Sequence, residues 1–178
     1  MTQRATVEPI KFDTPLRERI HRRLGLVGEG PQAFYRDALR LMTGPVVEST
    51  THLTSHLLRE IESALRDVLE PIAHYEGRVK SKGTQTHEQE VRLILGELGL
   101  SETEGPGAAW LDIVQTGLHE LAHRRSLERP RPFDEQFSAL WGDVEIVLDA
   151  VLQRFESRFL DLHDEADRLL SKTAPLQG

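Results

Sequence analysis

Two histidines one helical turn apart are the residues of this sequence most able to do chemistry. His119-Glu120-Leu121-Ala122-His123 has the H-E-x-x-H pattern, in which the two imidazoles bind zinc and the glutamate activates a water molecule. The pattern works on a helix because residues i and i+4 share a face, so both Nε2 atoms can reach one ion. It predicts a zinc-dependent hydrolase.

A third zinc ligand is available further along the chain. Glu145 and Asp149 form a Glu-x-x-x-Asp pair, and on these two patches the sequence resembles the gluzincin metallopeptidases. The resemblance implies that His119, His123 and Glu145 bind zinc, while Asp149 orients one of the histidines. The sequence does not predict the β-sheet that binds the peptide substrate in that family.

Arg158-Phe-Leu-Asp-Leu-His163 is a second pair of chemical interest. Burying a guanidinium costs free energy unless an anion or a wet cleft is at hand, and Arg158 interrupts an apolar seam. The spacing resembles the Arg-x₄₋₆-His motif of the HEPN family of helical nucleases and nucleotide-binding domains. The resemblance implies an all-helical fold and a ribonuclease, usually dimeric, in which Arg158 and His163 act on the RNA phosphate. Phe159 departs from it, because the family usually has a polar residue there.

His52 and His56 repeat the i, i+4 spacing on another predicted helix, with Glu60 one turn further. Two such pairs and a carboxylate on facing helices can hold a metal ion inside a bundle. On a helical wheel, however, His52 lies opposite the apolar stripe of its helix, and the two histidines of H-E-x-x-H lie opposite the apolar face of theirs. This placement favours histidines that face solvent.

Composition narrows the class of protein. The chain has 178 residues, of which 38% are hydrophobic and 29% charged, as in one folded domain. Its net charge of −7 argues against general binding to nucleic acid, so RNA enters only as the substrate of the ribonuclease hypothesis. The absence of cysteine excludes disulfides, thiol catalysis and thiolate zinc sites. No long apolar run or signal-like segment is found, so we expect no membrane contact and a cytoplasmic location.

Apolar periodicity predicts an all-α bundle of five to six helices, with a long C-terminal helix, in one domain over residues 1–178. Residues 1–13 are expected to form a loose arm and residues 171–178 a tail. Local signals mark the predicted helix boundaries: Thr14 and Pro15 for the start of the first helix, Gly25 for its end, Pro31 for the start of the second, Pro71 for a kink in or the end of the third, Thr86 with Gln89 for a capping box on the fourth, and Asp134 for the cap of the last.

The last helix carries the clearest pattern. Apolar residues recur every seven positions in two series that together form one seam: Trp141, Leu148, Phe155, Leu162 and Leu169 in the first series, and Phe137, Val144 and Val151 in the second. Arg158 and Glu165 then replace the apolar residues of the second series. The helix should therefore pack tightly in its first half and less completely in its second, which is a candidate surface for a partner.

These observations favour a non-catalytic helical interaction or oligomerisation module, for which the second resemblance implies a HEPN-like fold. It would bind a protein partner, or a second copy of itself, through the last helix. The module needs no cofactor. The alternatives are a metallohydrolase that needs zinc at residues 119–123, with Glu120 acting on the water, and a ribonuclease that uses Arg158 and His163.

The three hypotheses differ in metal content and activity. The metallohydrolase should hold about one zinc per chain, measured by plasma mass spectrometry, and lose it in the His119→Ala/His123→Ala variant. The ribonuclease should cleave RNA in the presence of a chelator and lose this activity in Arg158→Ala. The module should show neither property, so stoichiometric zinc would contradict the favoured hypothesis.

Overall fold

The computed structural model describes residues 12–74, 86–117, 129 and 131–173. Within these residues the chain forms six α-helices and no strand: α1 (Pro15–Val27), α2 (Glu29–Thr43), α3 (Thr50–His74), α4 (His87–Leu98), α5 (Gly105–Asp112) and α6 (Glu135–Thr173). A π-helical turn, Ile113–Gly117, continues α5. The predicted all-α bundle is confirmed.

The helices pack as a closed ring around one core. Each of α1 to α4 contacts the next helix along the chain, and α6 contacts both α5 and α1. Ile20, Tyr35, Ile61, Trp110 and Leu152 are among the core side chains with almost no exposed surface. Burial of each large apolar side chain contributes about 1.5–3 kcal/mol, so packing, more than helix propensity, holds the ring together.

The first helix begins as predicted but ends later. The side chain of Thr14 accepts a hydrogen bond from the backbone N–H of Arg17, and Pro15 follows it in the first turn. The predicted end at Gly25 is wrong, since α1 continues to Val27. A glycine inside a helix costs only about 1 kcal/mol, and the burial of Leu24 beside it outweighs that cost.

Two prolines lie within helices that they were expected to bound. Helix α2 begins at Glu29, two residues before Pro31, where a proline costs little because first-turn N–H groups lack helical partners. Helix α3 does not end at Pro71 but runs on to His74. A proline so near the end of a helix removes one backbone hydrogen bond and leaves the preceding turns intact.

The caps of α4 and α6 are confirmed. In α4 the backbone N–H of Gln89 donates to the side chain of Thr86, and the side chain of Gln89 accepts from the backbone N–H of Thr86. At the start of α6, Asp134 Oδ1 accepts a hydrogen bond of 2.8 Å from the backbone N–H of Phe137. Each cap satisfies backbone donors that the helix itself leaves unpaired.

The fifth helix differs from the regular α-helix that the sequence predicts from about Ala108 to Ser126. It begins at Gly105, and its regular part ends at Asp112, where the π-helical turn takes over. A π-helical turn has i→i+5 hydrogen bonds, so each residue advances less around the axis than in an α-helix. The helical wheel therefore cannot fix the direction of His119 and His123, which lie outside the described residues.

Helix α6 has the two unlike halves that its seam predicts. All seam residues from Phe137 to Phe155 are buried. Beyond Glu156, every side chain that the structure describes in residues 157–173 is exposed. We call residues 157–173 the overhang. No helix within the described ranges is long and apolar enough to cross a membrane.

Gly107 offers a test of the packing between α5 and the segment before it. A Cβ at Gly107 would clash with the backbone carbonyl oxygen of Ser101, whereas a Cβ at Gly142 in α6 would meet no atom within 4 Å. Gly107→Ala should therefore lower the free energy of unfolding by about 1–3 kcal/mol. Gly142→Ala should raise it by about 0.4–1 kcal/mol. Urea denaturation measures both, and two changes of the same sign would contradict the packing described here.

Candidate functional site

The most extensive set of charged contacts in the described part of the chain joins α1 to α6. Its acids each follow a buried seam residue of α6 directly, so they lie at the edge of the buried face. We call this set the arginine–carboxylate cluster: Arg17, Arg19, Arg22 and Arg23 on α1, and Glu145, Asp149 and Glu156 on α6. It lies where the ring of helices closes.

Arg23 is the buried centre of one end of the cluster. Only 8% of the residue is exposed. Its Nε donates to Glu156 Oε2 at 2.8 Å, and its Nη1 donates to Asp149 Oδ1 at 2.7 Å. Arg22 and Arg19 approach the same two carboxylates from the solvent side, at 2.6 Å from Glu156 and 2.9 Å from Asp149. One buried guanidinium thus connects two carboxylates.

Glu145 forms the other end of the cluster and is 5% exposed. Its Oε1 accepts hydrogen bonds of 2.8 Å from Arg17 Nε and of 2.8 Å from the hydroxyl of Tyr35. The ring of Tyr35 stacks on that of Trp141 with centroids 6.0 Å apart. Because Tyr35 belongs to α2, Glu145 connects α1, α2 and α6.

The electrostatics hold these groups in the protonation states in which they pair. Burial and then the charge of Glu145 raise the pKa of Tyr35 far above its usual value, so its hydroxyl stays protonated and donates. Burial alone would lower the pKa of Arg17, but hydrogen bonds and charges of Glu145 and Asp13 outweigh it and raise the pKa. Hydrogen bonds from Arg22 and Arg23 lower the pKa of Glu156. A general acid or base needs a pKa near neutrality, so these three groups are suited to holding the helices together.

The cluster includes both carboxylates that the zinc hypothesis needs. Glu145 accepts from Arg17 and Tyr35, and Asp149 accepts from arginines of α1. The motif residues His119, Glu120 and His123 lie outside the described residues. Within the described ranges, no three His, Asp or Glu side chains are grouped so that they could hold a metal ion. The zinc site stays a prediction, and it would require Glu145 to exchange its present donors for the ion.

The second histidine pair lies on the first turns of α3. The rings of His52 and His56 meet edge to face, with centroids 4.6 Å apart. Both residues are partly exposed, and Glu60, one turn further, is exposed. The structure therefore places this pair at the surface of α3, as the helical wheel predicts.

Arg158 and His163 both lie on the overhang and are exposed. Five residues apart on a regular helix, they are separated by roughly 140° around the axis and about 7.5 Å along it. One copy of α6 therefore does not bring them to one face. The ribonuclease hypothesis stays a prediction, and it would need the two side chains to reach one phosphate from different faces or from different copies.

A polar cleft of about 200 Å³ lies between α3, the start of α4 and the π-helical turn. Among its lining residues, Arg66 donates to Glu62 at 2.8 Å and to Glu90 at 2.6 Å. The remaining lining residues include Arg59, Glu60 and His87. Because acidic and basic side chains both line the cleft, its charge favours neither an anion nor a cation.

The sequence did not predict that the arginines of α1 pair with the acids of α6, although both sets of residues are visible in it. Two signals could have found it. Four arginines fall within residues 17–23, and three carboxylates each directly follow a seam residue of the last helix. Acids at the edge of a buried face need cationic partners, and the first helix is the densest source of them in the described chain.

The two arginines that share Asp149 provide a matched test of burial. The side chain of Arg23 is 10% exposed and that of Arg19 is 46% exposed. Arg23→Met should lower the free energy of unfolding by about 1–3 kcal/mol, because it removes the most buried donor of Asp149 and Glu156 and leaves them only the more exposed Arg19 and Arg22. Arg19→Met should lower it much less, because solvent screens an exposed ion pair. Urea denaturation at pH 7 makes the comparison, and equal losses would show that burial does not govern the cluster.

The resemblances to gluzincin peptidases and to HEPN domains each depend on a few residues. A relationship along the whole chain would extend to the ring of helices and to the arginine–carboxylate cluster. No protein-family model matches the chain, and no curated protein or solved structure is significantly similar to it.

Proposed function

We propose that this protein is a non-catalytic helical interaction module that binds a protein partner through the overhang of α6. The observation that carries the proposal is the exposed apolar surface beyond the last buried seam residue, Phe155. Phe159 is 45% exposed and Leu160 is 54% exposed, and the sequence adds Leu162 and Leu169 along the same stretch. Apolar side chains on an amphipathic helix are a common means of recognition between proteins.

The first half of α6 holds the overhang in a fixed direction. Its seam is buried in the core, and Glu156, next to the last buried seam residue, pairs with Arg22 and Arg23 of α1. The ring of Phe159 then packs on that of Phe155, with centroids 6.1 Å apart. A binding helix that is already ordered loses less conformational entropy when it binds, which favours affinity.

The length of the overhang also supports a binding role. It continues α6 for about 25 Å beyond the ring, from the helical rise per residue. Helices are stabilised in proteins mainly by packing of their apolar face. Every described side chain of the overhang is exposed, and Phe159 packs only on the neighbouring turn of its own helix at Phe155. A partner that covers the face would supply the missing packing.

The remaining chemistry favours a module over an enzyme. The arginine–carboxylate cluster uses its acids and arginines in ion pairs within the chain. Raised pKa values at Tyr35 and Arg17 and a lowered pKa at Glu156 keep these groups in one protonation state. Groups held in this way position helices and do not exchange protons near neutral pH.

Site-specific photocrosslinking tests the proposal in cells that express the full chain. A photoreactive phenylalanine analogue at position 159, at the edge of the seam, should give a covalent adduct of one defined mass. The matched control is Ile146, which is 53% exposed on the packed half of the same helix. This position should give no such adduct, because the proposed partner contacts only the overhang.

The mass of the adduct identifies the kind of partner. An adduct of twice the chain mass indicates a second copy, and any other defined mass indicates a different protein. Either adduct supports the module, provided that the analogue at position 146 does not form it. No adduct at position 159, or equal adducts at positions 146 and 159, would remove the basis of the proposed function.

A further inference from the structure

We propose that the partner of the overhang is the overhang of a second copy of this chain, packed antiparallel about a two-fold axis between residues 163 and 164. This inference rests on the proposed function and names the partner. Its basis is the fit of the overhang to itself in charge, in apolar contacts and in length. The charges, the apolar contacts and the length all belong to α6. The core of the ring limits how far along α6 a second helix can pack.

The seam of α6 defines the face that a second helix would cover. In the first half of α6 this face is occupied by the protein's own core, up to Phe155. The seam positions then continue through residues 158, 162, 165, 169 and 172 of the overhang, the last of them a lysine. A second helix can therefore follow the seam from the C-terminal end only as far as the level of Phe155.

A parallel pairing conflicts with the charges in the seam. In a parallel pair in register, Arg158 would lie level with Arg158 of the second copy, and Glu165 with Glu165. Like charges within a seam destabilise a coiled coil. In an antiparallel pair the two seam series alternate across the interface, so each of these charged positions lies opposite a leucine position. The seam charges thus favour the antiparallel arrangement.

One antiparallel register makes the charges complementary. It places Leu162 level with Glu165 of the second copy and Arg158 level with Leu169. Asp161 then lies beside Arg168 of the second copy at the edge of the seam, and symmetry repeats this pair. Both Asp161 and Arg168 are exposed on the single chain. On the opposite edge of the seam, Phe159 lies beside position 166, an alanine.

The two neighbouring registers, shifted by one heptad, are both unfavourable. A shift toward the ring places Asp161 beside Asp161 and Arg154 beside Arg168, and it drives the end of the second helix into seam positions that the core already occupies. A shift away from the ring places Arg168 beside Arg168 and shortens the overlap by about 10 Å, from the helical rise. Like charges at such positions oppose association.

The favourable register also matches the length of the overhang. It overlaps residues 154–173 of both copies, so Thr173 of the second copy comes level with Arg154. That level is next to Phe155, the last buried position of the seam. The second helix thus covers the whole free seam and stops where the protein's own core begins.

Exchange of the charges at positions 161 and 168 tests the pairing. Asp161→Arg alone gives two arginine–arginine contacts in the dimer, and Arg168→Asp alone gives two aspartate–aspartate contacts. Each variant should self-associate at least about tenfold more weakly than the wild type. An equimolar mixture of the two variants should associate like the wild type, because both contacts are then of opposite charge. Sedimentation equilibrium up to about 100 µM, a range suited to a small interface, measures the three samples.

The direction of the pairing can be measured separately because the chain has no cysteine. Ser157, which is exposed, can be replaced by Ser157→Cys and spin-labelled at that position alone. In the antiparallel register, the two labels should be offset by about 20 Å along the helix axis. A parallel pair in register would place the two labels level, with no offset along the axis, so the separation of the labels would lack this contribution. Pulsed electron paramagnetic resonance distinguishes the two distances.

The inference is overturned if the wild type stays monomeric, if either single variant associates as tightly as the wild type, or if the mixture fails to recover association. A label separation that includes no offset along the helix axis would also overturn the antiparallel arrangement. These results leave the proposed function intact if position 159 still crosslinks to a different protein. Circular dichroism of both variants checks that the ring of helices is unchanged, as expected for exposed positions outside it.

Discussion

Burial of Glu145 with both of its donors is the interaction on which the closure of the ring depends. A buried carboxylate is costly unless its oxygens are hydrogen-bonded and its charge is balanced. Arg17 supplies the charge from 128 residues away in the chain, and Tyr35 supplies a further donor from α2. The three helices must therefore be in their native arrangement together, because none of these groups can be buried alone at low cost. The apolar core supplies most of the stabilisation, and this contact fixes how α1 lies on α6.

The other end of the arginine–carboxylate cluster determines what the rest of α6 can do. Because Arg22 and Arg23 hold Glu156 at the edge of the ring, the helix leaves the ring with a defined direction and a defined rotation about its axis. Its seam continues without interruption from the buried half into the overhang, although the chain's own core ends at Phe155. A rigid binding surface thus follows from the fold itself, since one helix belongs to the core at one end and to a partner at the other.

The parts of this structure that sequence predicted are those that depend on residues close in the chain. The Thr86 capping box, the Asp134 cap and the change in burial along α6 each follow from a few neighbouring residues. The continuation of α1 through Gly25 and the π-helical turn after Asp112 depend on packing against distant helices, which no local pattern reports. The same holds for the candidate site. Its residues can be picked out in the sequence, but their pairing between α1 and α6 depends on contacts between residues far apart in the chain.

Glu145 illustrates why a motif alone could not assign the chemistry of this site. A Glu-x-x-x-Asp pair on a helix offers two carboxylates on one face, and either a metal ion or guanidinium groups can neutralise them. Which cation neutralises the carboxylates depends on the groups that the fold places beside them. Here α1 places Arg17 beside Glu145 and Arg23 beside Asp149. A zinc ion at Glu145 would have to displace Arg17 and leave its guanidinium with Asp13, an exposed acid, as its carboxylate partner. The cost of that exchange opposes metal binding at this carboxylate, whatever ligands lie elsewhere in the chain.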